Sequence, residues 1–296
     1  MKFMMKLSIL LRNLIFKIKN FLLLKNNNEL ISKTFIESIK NKIIKPNYIE
    51  FGQKVYSQND EDGIINEIFS DIGINNKIFI EIGIGDGCEN NTHNLVLNNW
   101  RGVWIDNNKK IVNKLIKYFP INKKLFISCA TVKPENINSI IKSQLEKSNL
   151  LSKLESKNNE IDFLSIDIDS YDIDCIEKLD IVLPRLICIE YNGKFLKNHS
   201  IKTKLVNKSW EYDDYFGSSL SYINQVMQSK NYNLVSTNIS GINAFYVKKD
   251  LFKKCKTFGQ DISDLYMPPN YNLYDYYVSH YPTMKFLKDF LDSENK

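Results

Sequence analysis

The run Phe79-Ile80-Glu81-Ile82-Gly83-Ile84-Gly85-Asp86-Gly87, an apolar strand that ends in three alternate glycines, constrains this chain more than any other stretch. Glycine has no Cβ, so the backbone turns tightly there and its N–H groups can face a ligand. Glu89-Asn90-Asn91-Thr92, followed by Leu95, Val96 and Leu97, reads as a helix start, and helix N-termini carry unpaired N–H donors. The next strand, Gly102-Val103-Trp104-Ile105-Asp106, stops on a carboxylate, the residue type that binds ribose hydroxyls at the second strand of a nucleotide-type fold. Two strand ends therefore converge on one ligand.

The glycine spacing bears on which ligand that is. A dinucleotide loop has G-x-G-x-x-G, whereas here the third glycine comes one residue early, at Gly87, with Cys88 after it. Glu81, two residues before the first glycine, adds an acid suited to a cationic amino-acid moiety. This favours S-adenosylmethionine over NAD, with Glu81, Gly83, Gly85, Gly87 and Asp106 as the contacts. The competing reading is a plain tight turn between strand and helix.

The chain has 296 residues, enough for one large α/β domain with extensions. Six of its 40 basic residues (Lys2, Lys6, Arg12, Lys17, Lys19 and Lys25) lie in residues 1–28, which hold no acid; the remaining 34 face 34 acidic residues. A neutral body argues against broad nucleic-acid binding, which needs clustered Lys and Arg. At helical spacing residues 3–24 put Leu7, Leu11, Leu14 and Ile18 on one face and the basic residues opposite. Such a helix either lies on anionic lipid or packs on the domain or a second subunit of a homo-oligomer. No uncharged run is long enough to span a membrane. Five cysteines without a C-x-x-C pair read as reduced thiols. The expected location is the cytoplasm, with peripheral contact at the inner face of the cytoplasmic membrane.

From residue 77 onward strand and helix alternate, with strands expected at 77–82, 102–106, 124–129, 161–168 and 185–191 and helices near 89–99, 107–118, 135–150, 172–181 and 217–230. Two last strands, Tyr232–Thr237 and Ile242–Lys248, are joined by a short link that makes them an antiparallel hairpin. The pattern predicts a doubly wound, mostly parallel α/β sheet with an antiparallel C-terminal hairpin. It divides the chain into a helical extension (1–50), a catalytic domain (51–257) and a Tyr-rich extension (258–296) that packs back or forms a subunit contact.

Ligands in open α/β sheets sit outside the carboxyl ends of the strands. The fourth strand ends in Asp167-Ile168-Asp169, where alternation sends both acids to one side, and the fifth in Glu190-Tyr191-Asn192. Asp169, Glu190 and Asn192 could form an all-oxygen Mg²⁺ site, or the acids could cap the helices that follow. The loop 192–216, with Lys194, His199, Trp210, Tyr212, Asp213, Asp214 and Tyr215, has the aromatic and acidic composition of a sugar pocket.

Taken in order, Tyr56-Ser57-Gln58-Asn59-Asp60-Glu61-Asp62-Gly63, the glycine loop with Glu89–Thr92, Trp100–Asp106, Ser165–Asp169, Ile189–Asn192 and Tyr215–Leu220 resemble the FkbM-type family within the Rossmann-like S-adenosylmethionine-dependent methyltransferases. The resemblance covers roughly residues 51–250. It implies O-methylation of a sugar hydroxyl in bacterial surface-polysaccharide biosynthesis, with Asp167 added to the cofactor contacts. Asp169, Glu190 and His199 are the candidates for catalysis, either as a base or, for the first two, as ligands of a metal that activates the hydroxyl. One departure is the end of the third strand, Ile127-Ser128-Cys129-Ala130-Thr131, which lacks the acid many class members offer the adenine amine. Two other readings remain: a metal-dependent glycosyltransferase using Asp167-Ile168-Asp169, and a non-catalytic methyltransferase-like scaffold held at a membrane by residues 3–24.

Overall fold

Strand β1 (Ile78–Ile82) sets three isoleucines on one face and Phe79 and Glu81 on the other, and all five residues are buried. Such a strand belongs inside a sheet covered on both sides. The computed structural model describes residues 30–119, 124–156, 158–169, 171–202 and 214–273, so helix 3–24, Trp210, Tyr212, Asp213 and the tyrosines beyond residue 273 lie outside the described residues.

Helices α1 (30–40) and α2 (Glu61–Ile72) precede β1. After it come α3 (His93–Leu97), β2 (Arg101–Asp106), α4 (Lys109–Tyr118), β3 (Leu125–Cys129), α5 (Ile137–Lys147), α6 (Leu151–Glu155), β4 (Glu160–Ile166), α7 (Asp172–Lys178), β5 (Leu183–Glu190), α8 (Leu220–Ser229), β6 (Tyr232–Thr237), β7 (Asn243–Lys248) and α9 (Ile262–Leu265). The seven strands lie in the order β3-β2-β1-β4-β5-β7-β6. Strands β3 to β5 are parallel along that order, and β7 is antiparallel to both its neighbours. This is the doubly wound, mostly parallel α/β sheet with an antiparallel C-terminal hairpin that the sequence pattern predicts.

Strand alternation makes two cores. Ile78, Ile80, Ile82, Ile105, Leu164 and Ile187 face helices α5 to α8 through Ile141, Leu145, Ile176 and Ile223. Phe79, Trp104, Phe163, Leu186 and Phe245 face α2, α3 and α4 through Ile68, Phe69, Leu95 and Leu115. The hairpin closes because Asn238 Oδ1 accepts from the N–H groups of Ile242 and Asn243, which folds the link back on itself. Residues after the sheet also pack on it: Thr237 Oγ1 donates to Leu265 O and Tyr266 Oη donates to Gly193 O. Among the described residues, no helix is long and apolar enough to cross a membrane.

Strand order reverses between β1 and β4, the point where open α/β sheets bind ligands. The two strands meet there through backbone: Asp167 N donates to Ile82 O, and a Cβ on Gly83 would lie 1.5 Å from Asp167 O. Two local expectations change. Strand β4 stops at Ile166, and Asp167–Asp169 forms a turn in which Asp169 has φ +60°. Helix α3 begins only at His93, leaving residues 89–92 as loop.

Gly83 and Gly85 both have positive φ, but only Gly83 meets backbone when given a Cβ. Gly85→Ala should therefore cost about 1–2 kcal/mol, the ordinary penalty of a left-handed residue. Gly83→Ala should cost at least about 4 kcal/mol, in the range of outright steric failure. Denaturant unfolding of the two variants measures the difference, and equal losses would contradict the contact.

Candidate active site

The strand registers align Trp104, Glu81, Ser165 and Cys188 in one row across β2, β1, β4 and β5. Glu81 is only 3% exposed there. A buried carboxylate without partners is expensive, and the residues just after the glycines supply them. Asn90 Nδ2 (2.9 Å), Asn91 N (2.8 Å), Thr92 N (3.2 Å) and Thr92 Oγ1 all donate to Glu81. Asn91 Nδ2 also donates to Ser165 Oγ at 3.0 Å, and Trp104 Nε1 donates to Thr92 Oγ1 at 2.7 Å. Three consecutive side chains thus stitch the loop to the row. Glu81, expected to face a cationic ligand, is turned into its own loop, and the amides expected to be free at a helix start are engaged by it. Burial pushes its carboxyl up to about 7 against the pull of these donors.

Asp106 ties the same loop from the other side. Its Oδ2 accepts from Ile84 N at 3.1 Å and Gly85 N at 3.2 Å, and its Oδ1 accepts from Asn108 N at 2.7 Å. A carboxylate has about four lone-pair positions, so one acceptor position remains. Gly87 packs on α4, since a Cβ there would lie 2.7 Å from a Leu115 methyl, whereas a Cβ on exposed Gly85 would meet nothing within 4 Å. Gly85 is thus the point at which the loop backbone is open to approach.

The polar run 56–63 braces this arrangement. Asp62 Oδ2 accepts from the N–H groups of Val55, Tyr56 and Ser57, and Tyr56 stacks on His93 with ring centroids 4.6 Å apart. Glu61 accepts from Asn59 N and, across the fold, from Asn238 Nδ2 and Asn243 Nδ2. Asp60 accepts from Ile239 N, and burial together with the Glu61 charge raises its carboxyl to about 8.

At the ends of β4 and β5, Asp167, Asp169 and Glu190 bring carboxylate oxygens within 4.8 Å of one another. Burial and mutual repulsion raise Asp167 and Glu190 well above the ordinary carboxylate range, and burial raises Asp169. Asp172 holds the turn by accepting from Ile168 N at 2.7 Å. Asn192 does not share the site as expected: its Nδ2 donates to Asp214 O and Phe216 O, and its Oδ1 accepts from Lys194 N. It is completely buried and anchors the chain leaving β5. The third carboxylate of the group is Asp167. His199 is exposed and lies outside the acid group. The roles of Asn90, Asn91 and Thr92 escaped the sequence reading, although a glutamate inside an apolar strand signals that nearby donors must exist.

No family model and no curated protein matches the chain. Solved structures similar to it include magnesium protoporphyrin IX methyltransferase from Synechocystis with bound SAM, at 10% identity, TM-score 0.39, and 64% of this chain and 77% of that chain covered. Another is an amino pentose methyltransferase from Micromonospora echinaspora, at 5% identity, TM-score 0.40, and 66% and 92% covered. A third is a putative S-adenosylmethionine dependent methyltransferase from Listeria monocytogenes, at 12% identity, TM-score 0.38, and 64% and 97% covered. With likeness this distant, the functional reading rests on the strand order and the residues themselves.

The raised acids set a pH dependence. An acid whose pKa is higher in the folded state binds more protons folded than unfolded, so stability falls as pH rises through the interval between the two values. For Glu81 and Asp60 that interval runs from 4.5 and 3.8 up to about 7 and about 8. The Tm of the protein in EDTA should fall between about pH 5 and pH 8, and Asp60→Asn should flatten the decline. A wild-type Tm that is level or rising over that range would contradict the assignment.

Proposed function

We propose that this chain transfers the methyl group of S-adenosylmethionine to a hydroxyl of a sugar acceptor. The observation that carries the reading is a glycine loop at the β1/β4 switch point, open at Gly85 and tied to the carboxylate that ends β2. The residues fit that cofactor. S-adenosylmethionine brings positive charge on its sulfonium and ammonium groups, and the strands around the switch point end in or run into the carboxylates Asp106, Asp167, Asp169 and Glu190. A diphosphate would meet those carboxylates and would find the Ile84 and Gly85 amides already bonded to Asp106. That argues against a dinucleotide, and a nucleotide-sugar reading leaves the glycine loop without a ligand.

In this reading Gly85 permits close approach of the backbone, and Asp106 uses its remaining acceptor position for a ribose hydroxyl. Glu81 acts through the loop it clamps. The cofactor, when bound, supplies an electrophilic methyl carbon. The Asp167–Asp169–Glu190 group would orient the acceptor hydroxyl and ease the loss of its proton, to a carboxylate or to water beside it. The segment leaving β5, anchored by Asn192, is the acceptor side.

The resemblance to the FkbM-type family supports a cytoplasmic role in surface-polysaccharide assembly, with residues 3–24 as a peripheral membrane contact beside the catalytic unit 51–257. Calorimetry with S-adenosylmethionine tests the cofactor: Gly85→Val and Asp106→Ala should each weaken binding by about tenfold or more, as expected when a good hydrogen-bonding or packing contact is lost. Asp169→Asn and Glu190→Gln should bind the cofactor within a few-fold of wild type and lose about 10²-fold or more in turnover of a glycan acceptor. Parent-like binding by folded Gly85→Val and Asp106→Ala would refute the cofactor assignment.

A further inference from the structure

We infer that Asp167, Asp169 and Glu190 form a binding site for one hard divalent cation of the magnesium type. Their oxygens lie within 4.8 Å of one another, a small side-chain rotation from the separations of about 3–4 Å that octahedral oxygen ligands adopt around Mg²⁺. A second observation points into the same space. Glu190 is 7% exposed, and its Oε2 is buried with no hydrogen-bond partner. Among the described residues, no lysine or arginine pairs with any of the three. Acids usually find a donor or an opposite charge when they are buried. Here buried Glu190 meets half-buried Asp167 and exposed Asp169 and keeps one oxygen orphaned, which is the arrangement a cation completes.

The chemistry of the donors selects the ion. All three are carboxylates, so the site suits a hard cation and not zinc or copper, which favour nitrogen and sulfur. Three carboxylates leave coordination positions for water and for acceptor oxygens, the usual economy of Mg²⁺ sites. The ligand set is built by the fold and not by strand alternation: Asp169 returns toward Asp167 because the turn takes φ +60° and Asp172 holds Ile168 N. The acceptor's place beside the cation rests on the methyl-transfer reading; cation binding itself does not.

Mn²⁺ is the probe, followed by electron paramagnetic resonance as it binds full-length protein stripped with EDTA, with Mg²⁺ as competitor. The expected result is about one Mn²⁺ per chain, displaced by Mg²⁺, with Asp167→Asn and Glu190→Gln each weakening binding by at least about tenfold, the smaller end of what changes around metal sites cost. Asp250→Asn, at an exposed surface ion pair, should bind as wild type does. Melting gives a second readout: Mg²⁺ should raise the Tm of wild type and leave that of Asp169→Asn, at the exposed ligand, unmoved. Absence of Mn²⁺ binding at millimolar concentration, or equal binding by wild type and the folded ligand variants, would overturn the inference. Cation binding without S-adenosylmethionine binding would uphold the site and end the methyl-transfer reading, and the converse result would do the opposite.

Discussion

A carboxylate buried in the centre of an apolar sheet dictates the shape of everything around it. Glu81 lies in β1, an interior strand, between Trp104 and Ser165, where water cannot solvate it. The donors it requires come from the loop that follows its own strand, so one unfavourable burial is converted into a fixed path for residues 83–92. Gly83 makes the path possible by letting β1 and β4 touch through backbone. Asp106 then fixes the outer edge of the loop. The loop is therefore held in place by the protein's own hydrogen bonds, which reduces the ordering that binding of a ligand there would have to impose.

The same end of the sheet gathers more acid than a stable core would choose. Asp60, Glu61, Asp62, Asp167, Asp172 and Glu190 are buried or half-buried close to Glu81, and several of them are held above their ordinary pKa by burial and by one another. Asparagines answer much of this charge without adding any of their own: Asn238 and Asn243 reach Glu61, and Asn90 reaches Glu81. Backbone N–H groups answer Asp60, Asp62 and Asp172, which leaves Asp167, Asp169 and Glu190 as the group gathered without an opposite charge among the described residues. Repulsion that is relieved at a bracing site and retained at a crevice is the usual distribution of strain between scaffold and function.

The sheet was legible in the sequence because its signals are local. Isoleucine runs, a helical spacing from Ile64 to Ile72 and a turn-rich link before Ile242 each identify an element without knowledge of its neighbours. The site was legible only in outline. Asn90, Asn91 and Thr92 look like helix-start residues, and nothing local reveals that their donors point back to Glu81. Alternation correctly paired Asp167 with Asp169 but for the wrong reason, since a left-handed turn and not a strand joins them. Asn192 was grouped with Glu190 by proximity in sequence, while the fold turns it toward Asp214 and Phe216. Long-range partners decide each of these cases.

The central claim is that the loop clamped by Glu81 and Asp106 is the cofactor seat. Hydrogen exchange with and without S-adenosylhomocysteine tests it most directly, because the amides in question are named. The account predicts slower exchange at residues 83–92 and 106–108 on adding the ligand, with the outer edge of the sheet at β6 unchanged. Protection that appeared elsewhere, or nowhere, would contradict it.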